Sequence, residues 1–398
     1  MVTTTRNYDD ARYLAAAGLG WDGVVRVTYG GFSGTGTLLY GGRAVLTAAH
    51  LFESAGTTAS VYFDTVQGMR TQSGLSYTVN PGFDSSSNAD LALVWLSAPA
   101  TASADRYQLY RATDAIGQTF MMVGYGKLGT GLTGQTVESG AVRYMAQNRF
   151  DAYADTLKQV LGDAMDWSPS NSSQLLADFD NGSATNDALG QLMGRTGLGI
   201  GDGEGMLAQG DSGGPALIDG QIAGVATYTA SLAFRSTHPD IDNLTNSSFG
   251  EVGGWQNIAV YQQWIDQTLR AHLPGAPTRP GEVKKEVSEG NSGTTLVYFL
   301  LQFSGVRSTP ESIVGVDFYT VDGTAKAGSD YIAHSGHLNL YPDEDQAVIP
   351  VEILGDLVAE PDETFYLEVA NPVGGSFGEG VSKLVAIRTI IDDDGWLT

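Results

Sequence analysis

The chain has 398 residues, 42% of them hydrophobic, with 52 glycines and no cysteine. That is enough apolar material for two or three domains rich in turns, and it excludes disulfide staples and thiolate metal sites. Its 45 acidic residues against 21 basic ones leave a formal charge of −24, which excludes a nucleic-acid binder, because phosphate contacts need clustered Lys and Arg.

Residues 1–20 read as a leader of mixed character with weak helical tendency. They lack the basic n-region and long apolar stretch of a secretory signal, and no later run approaches the roughly 18 apolar residues of a membrane span. Three alternatives stay open: a signal already removed, export by another route, or retention inside the cell. From Val24 the pattern changes. VVRVTYGG, GTGTLLYGG and AVLTAAH are short β-branched or apolar runs split by glycines, and SVYFDTV, LSYTV, LALVWL and TFMMVGYG continue them to about residue 126. Such runs predict antiparallel strands of a barrel or sandwich.

Residues 150–196 break the pattern, with helical spacing in FDAYADTLKQVLGDAM and then a polar stretch. They read as an insertion or long surface loop with some helix. Strands resume at PALIDGQIAGVATYT. YQQWIDQTLRAHL then places Tyr261, Trp264, Ile265 and Leu269 at helical spacing. PGAPTRP, residues 274–280, carries three prolines and reads as a linker. Beyond it TLVYFLLQF, VGVDFYTV, GHLNLYP, AVIPVEIL, TFYLEVA and LVAIRTII alternate with period two, which predicts one sandwich of about seven strands in 281–398.

Three positions carry chemistry. Ser212 lies in Gly210-Asp211-Ser212-Gly213-Gly214-Pro215, where glycines allow close backbone approach and positive φ. A serine there can be a nucleophile if a base and an oxyanion site are near, whereas a bare Ser/Gly turn is the alternative. His50 ends VLTAAH, and Asp90 opens the apolar run DLALVWL, where a buried carboxylate needs donors. Each alone is a weak signal.

In this order TAAH, DLAL and GDSGGP resemble the chymotrypsin-like, or trypsin-family, serine peptidases. GTGTLL, VGYG, IAGVATYT and the closing helix extend the resemblance over roughly 24–270. It implies an all-β fold, a double β-barrel with a C-terminal helix and a site between the barrels, in a domain over 1–273. It also implies a protein or peptide substrate, with Ser212 as nucleophile, His50 as base, Asp90 orienting His50, and the Gly210 and Ser212 amides as the oxyanion hole. The runner-up is a binding or adhesion protein on the same fold without activity.

The chain departs from the family in three ways. No Ile-Val-Gly-Gly-like start precedes VVRV, so Asp211 needs another partner. A new N-terminus after Arg6 or Arg12, a nearby Lys or Arg, or neutral donors would serve. The gap from Asp90 to Ser212 is long. The disulfides of animal members are missing, which points to a bacterial-type member; a secreted or cell-surface endopeptidase is the leading expectation. By the same resemblance Met206 lies at the base of the specificity pocket and Thr227, Tyr228 and Thr229 form one wall. Met206 offers no charge for a Lys or Arg side chain, although Asp202 and Glu204 are close in sequence. Small or apolar P1 residues are expected.

Residues 281–398 hold 20 acidic against 6 basic residues. DFYTVDGTAKAGSDY, LNLYPDEDQAVIPVEI, GDLVAEPDETFYLEVANP and IIDDDG resemble a Calx-β domain, a calcium-binding, immunoglobulin-like β-sandwich. Carried over by position, the ligands it implies for Ca2+ are Glu289, Asp330, Asp356, Glu360, Asp392, Asp393 and Asp394, all oxygen donors as calcium requires. A solvated acidic edge that discourages strand pairing is the alternative. Asp178-Phe-Asp180-Asn-Gly182 has D-x-D-x-G spacing without a full twelve-residue calcium loop. It reads as a polar loop, with a second cation site as the less favoured alternative. Oligomeric state is left open.

Overall fold

The structure is a computed structural model and describes residues 2–53, 56, 58–138, 140–195 and 197–394. Met1 of the expected leader and residues 395–398 of the expected second domain lie outside the described residues. The chain divides into two compact units, one of residues 1–39 and 43–264, the other of 40–42 and 265–398.

The first unit contains two seven-stranded antiparallel sheets. In one, Val24–Tyr29 and Phe32–Leu38 pair across a two-glycine turn in which Gly30 and Gly31 both take positive φ. That turn geometry matches the right-handed twist of the strands it joins. Ala59–Thr65 alternates buried and half-buried residues, so Val61 and Phe63 enter a core with Val25, Val27, Val45 and Val94. Ala44–Thr47 and Ala92–Trp95 pair beside them and deliver the histidine and aspartate discussed below.

The second sheet runs from Tyr144–Arg149 through Thr119–Gly124, Pro215–Ile218, Gln221–Ala230, Val252–Asn257 and Gln174–Asp178 to Ala152–Tyr153. Phe120, Phe150 and Trp255 fill its core, with centroids 4.0, 5.0 and 5.6 Å apart. Stacked and edge-on aromatic pairs add about 0.5–1.5 kcal/mol each beyond their buried area. The stretch 150–196 is therefore no insertion outside the sheet. Its fully buried strand Gln174–Asp178 pairs with Val252–Asn257, and the helix Ala154–Leu161 packs Leu157 and Leu161 with Leu189 and Leu192.

The expected leader is also structured. Val2–Thr4 is a strand pairing parallel to Leu128–Thr130 and antiparallel to Gly205–Leu207. Thr3 Oγ1 donates to Ser247 O. Asp10 then caps a 3-10 turn, Ala11–Tyr13. Behind this segment Arg143 is buried and donates to Ala15 O, Val24 O, Asp64 O, Tyr125 Oη and Asp22 Oδ1. One guanidinium thus joins the N-terminal segment to strands of both sheets.

In the second unit seven strands are seen among the described residues. Five form one sheet, in the order Glu286–Ser288, Lys383–Ile391, Glu363–Val373, Val314–Asp322 and Ser335–Leu340. Thr294–Gln302 pairs with Gln346–Leu354 in the other. Phe299, Phe318, Ile349, Ile353 and Phe365 fill the sandwich. Residues 274–280 are bonded to it rather than forming a free tether: Tyr298 Oη donates to Pro274 O at 2.6 Å. The division between units falls inside the helix Ile258–Ala271, earlier than the expected linker. Its last turns belong with the sandwich, where Arg270 pairs with Glu344 at 2.7 Å and Asp266 accepts from Tyr341 Oη at 2.7 Å.

Candidate active site

His50 lies on the 3-10 turn Ala49–Phe52, directly after the strand Ala44–Thr47. Its backbone N–H donates to Asp90 Oδ1 at 2.8 Å and its Nδ1 to Asp90 Oδ2 at 2.7 Å. Two bonds to one carboxylate fix both the place and the tautomer of the ring and leave Nε2 as the basic nitrogen. Asp90 is fully buried, while the His50 side chain is 30% exposed, enough for a substrate to reach it. Burial pulls the His50 pKa down, but the hydrogen bond and charge of Asp90, with a smaller effect of Glu53, outweigh it and leave the pKa raised above the ordinary histidine value.

Asp90 is held by a strained segment. Ala89 takes φ +50 and Ser87 φ +55, conformations unfavourable for residues with a Cβ. Tyr261 Oη accepts from Ala89 N at 2.9 Å, and Gln256 Nε2 donates to Ser87 O at 2.7 Å. Tyr261 was read from sequence only as one position on the apolar face of a helix.

Ser212 comes from the other sheet, in the loop before Pro215–Ile218. Thr35 fastens that loop. Its N–H donates to Ser212 O at 2.8 Å and its Oγ1 to Gly210 O at 2.9 Å, while the same Oγ1 accepts from Tyr125 N at 3.1 Å. Gly213, at φ +84, sits so close to Thr47 and Ala48 that a Cβ would come within 2.1 Å of Thr47 Oγ1. The serine loop is therefore pressed onto the strand that ends three residues before His50. Gly210 has φ +100, and a Cβ there would meet Gly126 Cα at 2.9 Å. Among the described residues neither the Gly210 nor the Ser212 amide donates to a protein group.

Asp211 is buried and accepts from neutral backbone donors, Gly126 N at 3.0 Å and Ala208 N at 2.8 Å. Neutral donors are thus among its partners. Arg6 instead pairs with Asp202 at 2.8 Å.

A pocket of about 180 Å³ opens beside Ser212, with Thr227, Tyr228 and Thr229 on one wall and Leu207, Ala208 and Gln135 also lining it. Met206 does not line it. All three residues of the strand Gly205–Leu207 are buried, and Met206 packs in the core with its sulfur beside Gly253. Asp202 and Glu204 stay away as well: Glu204 is taken up by Asp180 N and Ile200 N. A second cavity of about 500 Å³ shares Tyr228 and Thr229 and reaches Trp167, Leu232 and Asp166.

In the sandwich the expected acidic ligands fall into two groups. Glu289, Asp356 and Asp394 bring carboxylate oxygens within 4.8 Å of one another, as do Asp330, Glu360 and Glu363. Glu363 was missed, because on sequence it is only the first residue of a strand. Asp393 instead accepts from Gly290 N at 3.1 Å, and Asp392 accepts from Asp394 N at 3.4 Å. Glu289 Oε1 and Asp394 Oδ2 are buried without a hydrogen-bond partner. Burial, then the charges of Asp356, Asp392, Asp394 and Asp393, push Glu289 up to about 7. Burial, then the hydrogen bond with Asp330, pushes Glu363 up to about 7.

A histidine–carboxylate pair from one barrel facing a serine loop from the other is the layout of a trypsin-like serine-protease fold, here followed by a β-sandwich. A family model described as Trypsin matches residues 15–206, and one described as Calx-beta domain matches 297–394. The chain carries a trypsin domain followed by a Calx-beta domain. The trypsin match ends at Met206, before the serine loop.

Curated relatives include sodium/calcium exchanger 2 of Mus musculus, 31% identical over 153 residues, which are 32% of this chain and 17% of the exchanger. Sodium/calcium exchanger Calx of Drosophila melanogaster is 35% identical over 91 residues, 22% of this chain and 9% of the relative. The chain thus spans less than a fifth of the length of these relatives. Among solved structures, mouse neuropsin, titled a serine protease expressed in the limbic system of mouse brain, aligns over 65% of this chain and 98% of its own, with a TM-score of 0.46 and 18% identity.

Proposed function

We propose that the chain is a serine endopeptidase. The observation that carries this reading is the doubly bonded His50–Asp90 pair beside a serine loop that Thr35 and Gly213 hold against two paired strands of the same sheet. Ser212 Oγ attacks the acyl carbonyl of a bound peptide. His50 Nε2 accepts the Ser212 proton and returns it to the leaving amine. Asp90 holds the ring and stabilises the imidazolium without itself becoming protonated. The Gly210 and Ser212 amides receive the oxyanion, and loss of one such donor costs about 2.7–4 kcal/mol of transition-state stabilisation. Water repeats the sequence on the acyl-enzyme and frees Ser212.

The pocket beside Ser212 has no charged residue on its lining, which favours small or apolar P1 side chains. The sandwich holds Ca2+ on Glu289, Asp356 and Asp394 and on Asp330, Glu360 and Glu363. The two orphaned carboxylate oxygens and the all-oxygen donor sets fit such an ion. Its role there is to bind charge and stabilise the domain.

Labelling with a fluorophosphonate tests the enzyme reading. Wild type is modified at Ser212, whereas Ser212→Ala and His50→Ala are not. Wild-type protein that stays unlabelled and cleaves nothing in a peptide library would sink it.

A further inference from the structure

Asp178, Asp180 and Asp187 lie in the trypsin domain, well apart in sequence from the acids of the sandwich. Each places a carboxylate oxygen within 4.8 Å of the other two, and all three are buried, at 2%, 4% and 3% exposure. Local structure explains the convergence. Asp178 ends the strand Gln174–Asp178, and Asp180 follows two residues later, with Phe179 in the core between them. Asp187 caps the short helix Ala188–Met193.

The partners of these carboxylates account for only part of their charge. Asp178 Oδ2 accepts from Leu189 N at 2.7 Å, and Asp187 Oδ1 accepts from Gly190 N at 2.7 Å. Asp180 Oδ1 is buried and has no hydrogen-bond partner among the described residues. Arg149, which also feels the charges of Asp178 and Asp180, is paired with Asp151 at 2.9 Å. Leaving a buried carboxylate oxygen unpaired among like charges costs several kcal/mol, so a compensating cation is expected. The donors are oxygens only, which suits a hard divalent ion and excludes a thiolate- or imidazole-selecting one.

The geometry points to a Ca2+ site formed by Asp178, Asp180 and Asp187 in the trypsin domain. The ion joins the end of a sheet strand to the start of a helix and so fixes the turn 179–187. Asp180 N donates to Glu204 Oε1 at 2.7 Å, which links that turn to the segment leading into Gly205–Leu207 and the serine loop. The site stands whether or not the chain is a peptidase. The rival account is carboxyl groups that share protons and need no metal.

Two measurements on the full-length protein separate these accounts. First, bound calcium is counted after gel filtration in wild type and in Asp180→Asn, each also in a Glu289→Gln/Asp394→Asn background. Asp180→Asn is expected to lose one equivalent in both backgrounds, and unchanged stoichiometry overturns the site. Second, hydrogen exchange of wild type is compared in CaCl2 and in EGTA, which needs no variant to fold. Peptides covering 176–193 are expected to exchange at least tenfold more slowly with Ca2+. Equal exchange in that segment overturns the proposal, even if the sandwich is protected.

Discussion

His50 and Thr35 set how the site behaves. Because the His50 pKa is raised, the base is inactivated by protonation already above the ordinary histidine pKa. The acid limb of kcat/KM should therefore lie above about 6.5 and rise to a plateau on the alkaline side. In Asp90→Asn the hydrogen bond and charge of Asp90 are lost, while burial and the smaller effect of Glu53 persist. The limb should then move below that of wild type, and activity should fall by about 10⁴-fold through the wrong tautomer. A pH-rate series on both proteins checks both points. The same shift has a stability consequence. The His50–Asp90 pair contributes fully at pH below the unfolded histidine pKa, and that contribution is lost as pH rises through the folded one. Thr35 offers a different test. Thr35→Val deletes an Oγ1 that donates to Gly210 O and accepts from Tyr125 N. The fold should lose about 1–3 kcal/mol in a urea melt. Fluorophosphonate labelling should slow by a larger factor, because Gly210 is then no longer held.

Among the elements, the strand Val2–Thr4 and the Arg143 clamp invite the clearest experiments. Thr3→Pro removes a ladder N–H and distorts the strand between Leu128–Thr130 and Gly205–Leu207. Peptidase activity should drop at least tenfold while the far-UV spectrum stays that of a folded β protein. Arg143→Met leaves Asp22 buried without its cation, and removing one partner of a buried pair typically costs about 3–5 kcal/mol. A thermal melt reads this directly. The strands with strict period two were legible in sequence, as were the turn at Gly30-Gly31 and the order His50, Asp90, Ser212. Gln174–Asp178 was not, because a five-residue strand flanked by Ser, Asn and Asp carries too short a period to stand out. The functions of Thr35 and Tyr261 were hidden for a related reason. Each acts through one oxygen aimed at a distant backbone group, and no local pattern encodes that distance. Met206 illustrates the limit of counting back from Ser212: its neighbour Leu207 lines the pocket, whereas Met206 is packed in the core.

For the whole molecule, the calcium proposed for the sandwich would govern how stability depends on pH. In calcium-free protein Glu289 and Glu363 have pKa values near 7, well above their unfolded values. Their protonated forms favour the folded sandwich below about pH 4.5, and that contribution is lost as pH rises through 7. A bound cation takes the place of those protons. EGTA should therefore lower Tm strongly at pH 8 and little at pH 5, and excess CaCl2 should restore it. A melt equally insensitive to EGTA at both values would leave the acidic end as a solvated edge.

The pairing of Val2–Thr4 also bears on biosynthesis. Thr3 bonds to Ser247, 244 residues further along the chain. During translation this early strand waits for Leu128–Thr130 as its first partner, and its pairing is complete only once Gly205–Leu207 and then Ser247 have left the ribosome. The scaffold behind Ser212 closes only when almost the whole trypsin domain has been made, so a stalled or truncated nascent chain should carry no competent nucleophile. Arrested ribosome complexes of graded length, probed with a fluorophosphonate, should switch from silent to labelled over a narrow window beyond residue 250. For the peptidase proposed above, such timing would prevent digestion of its own unfinished copies.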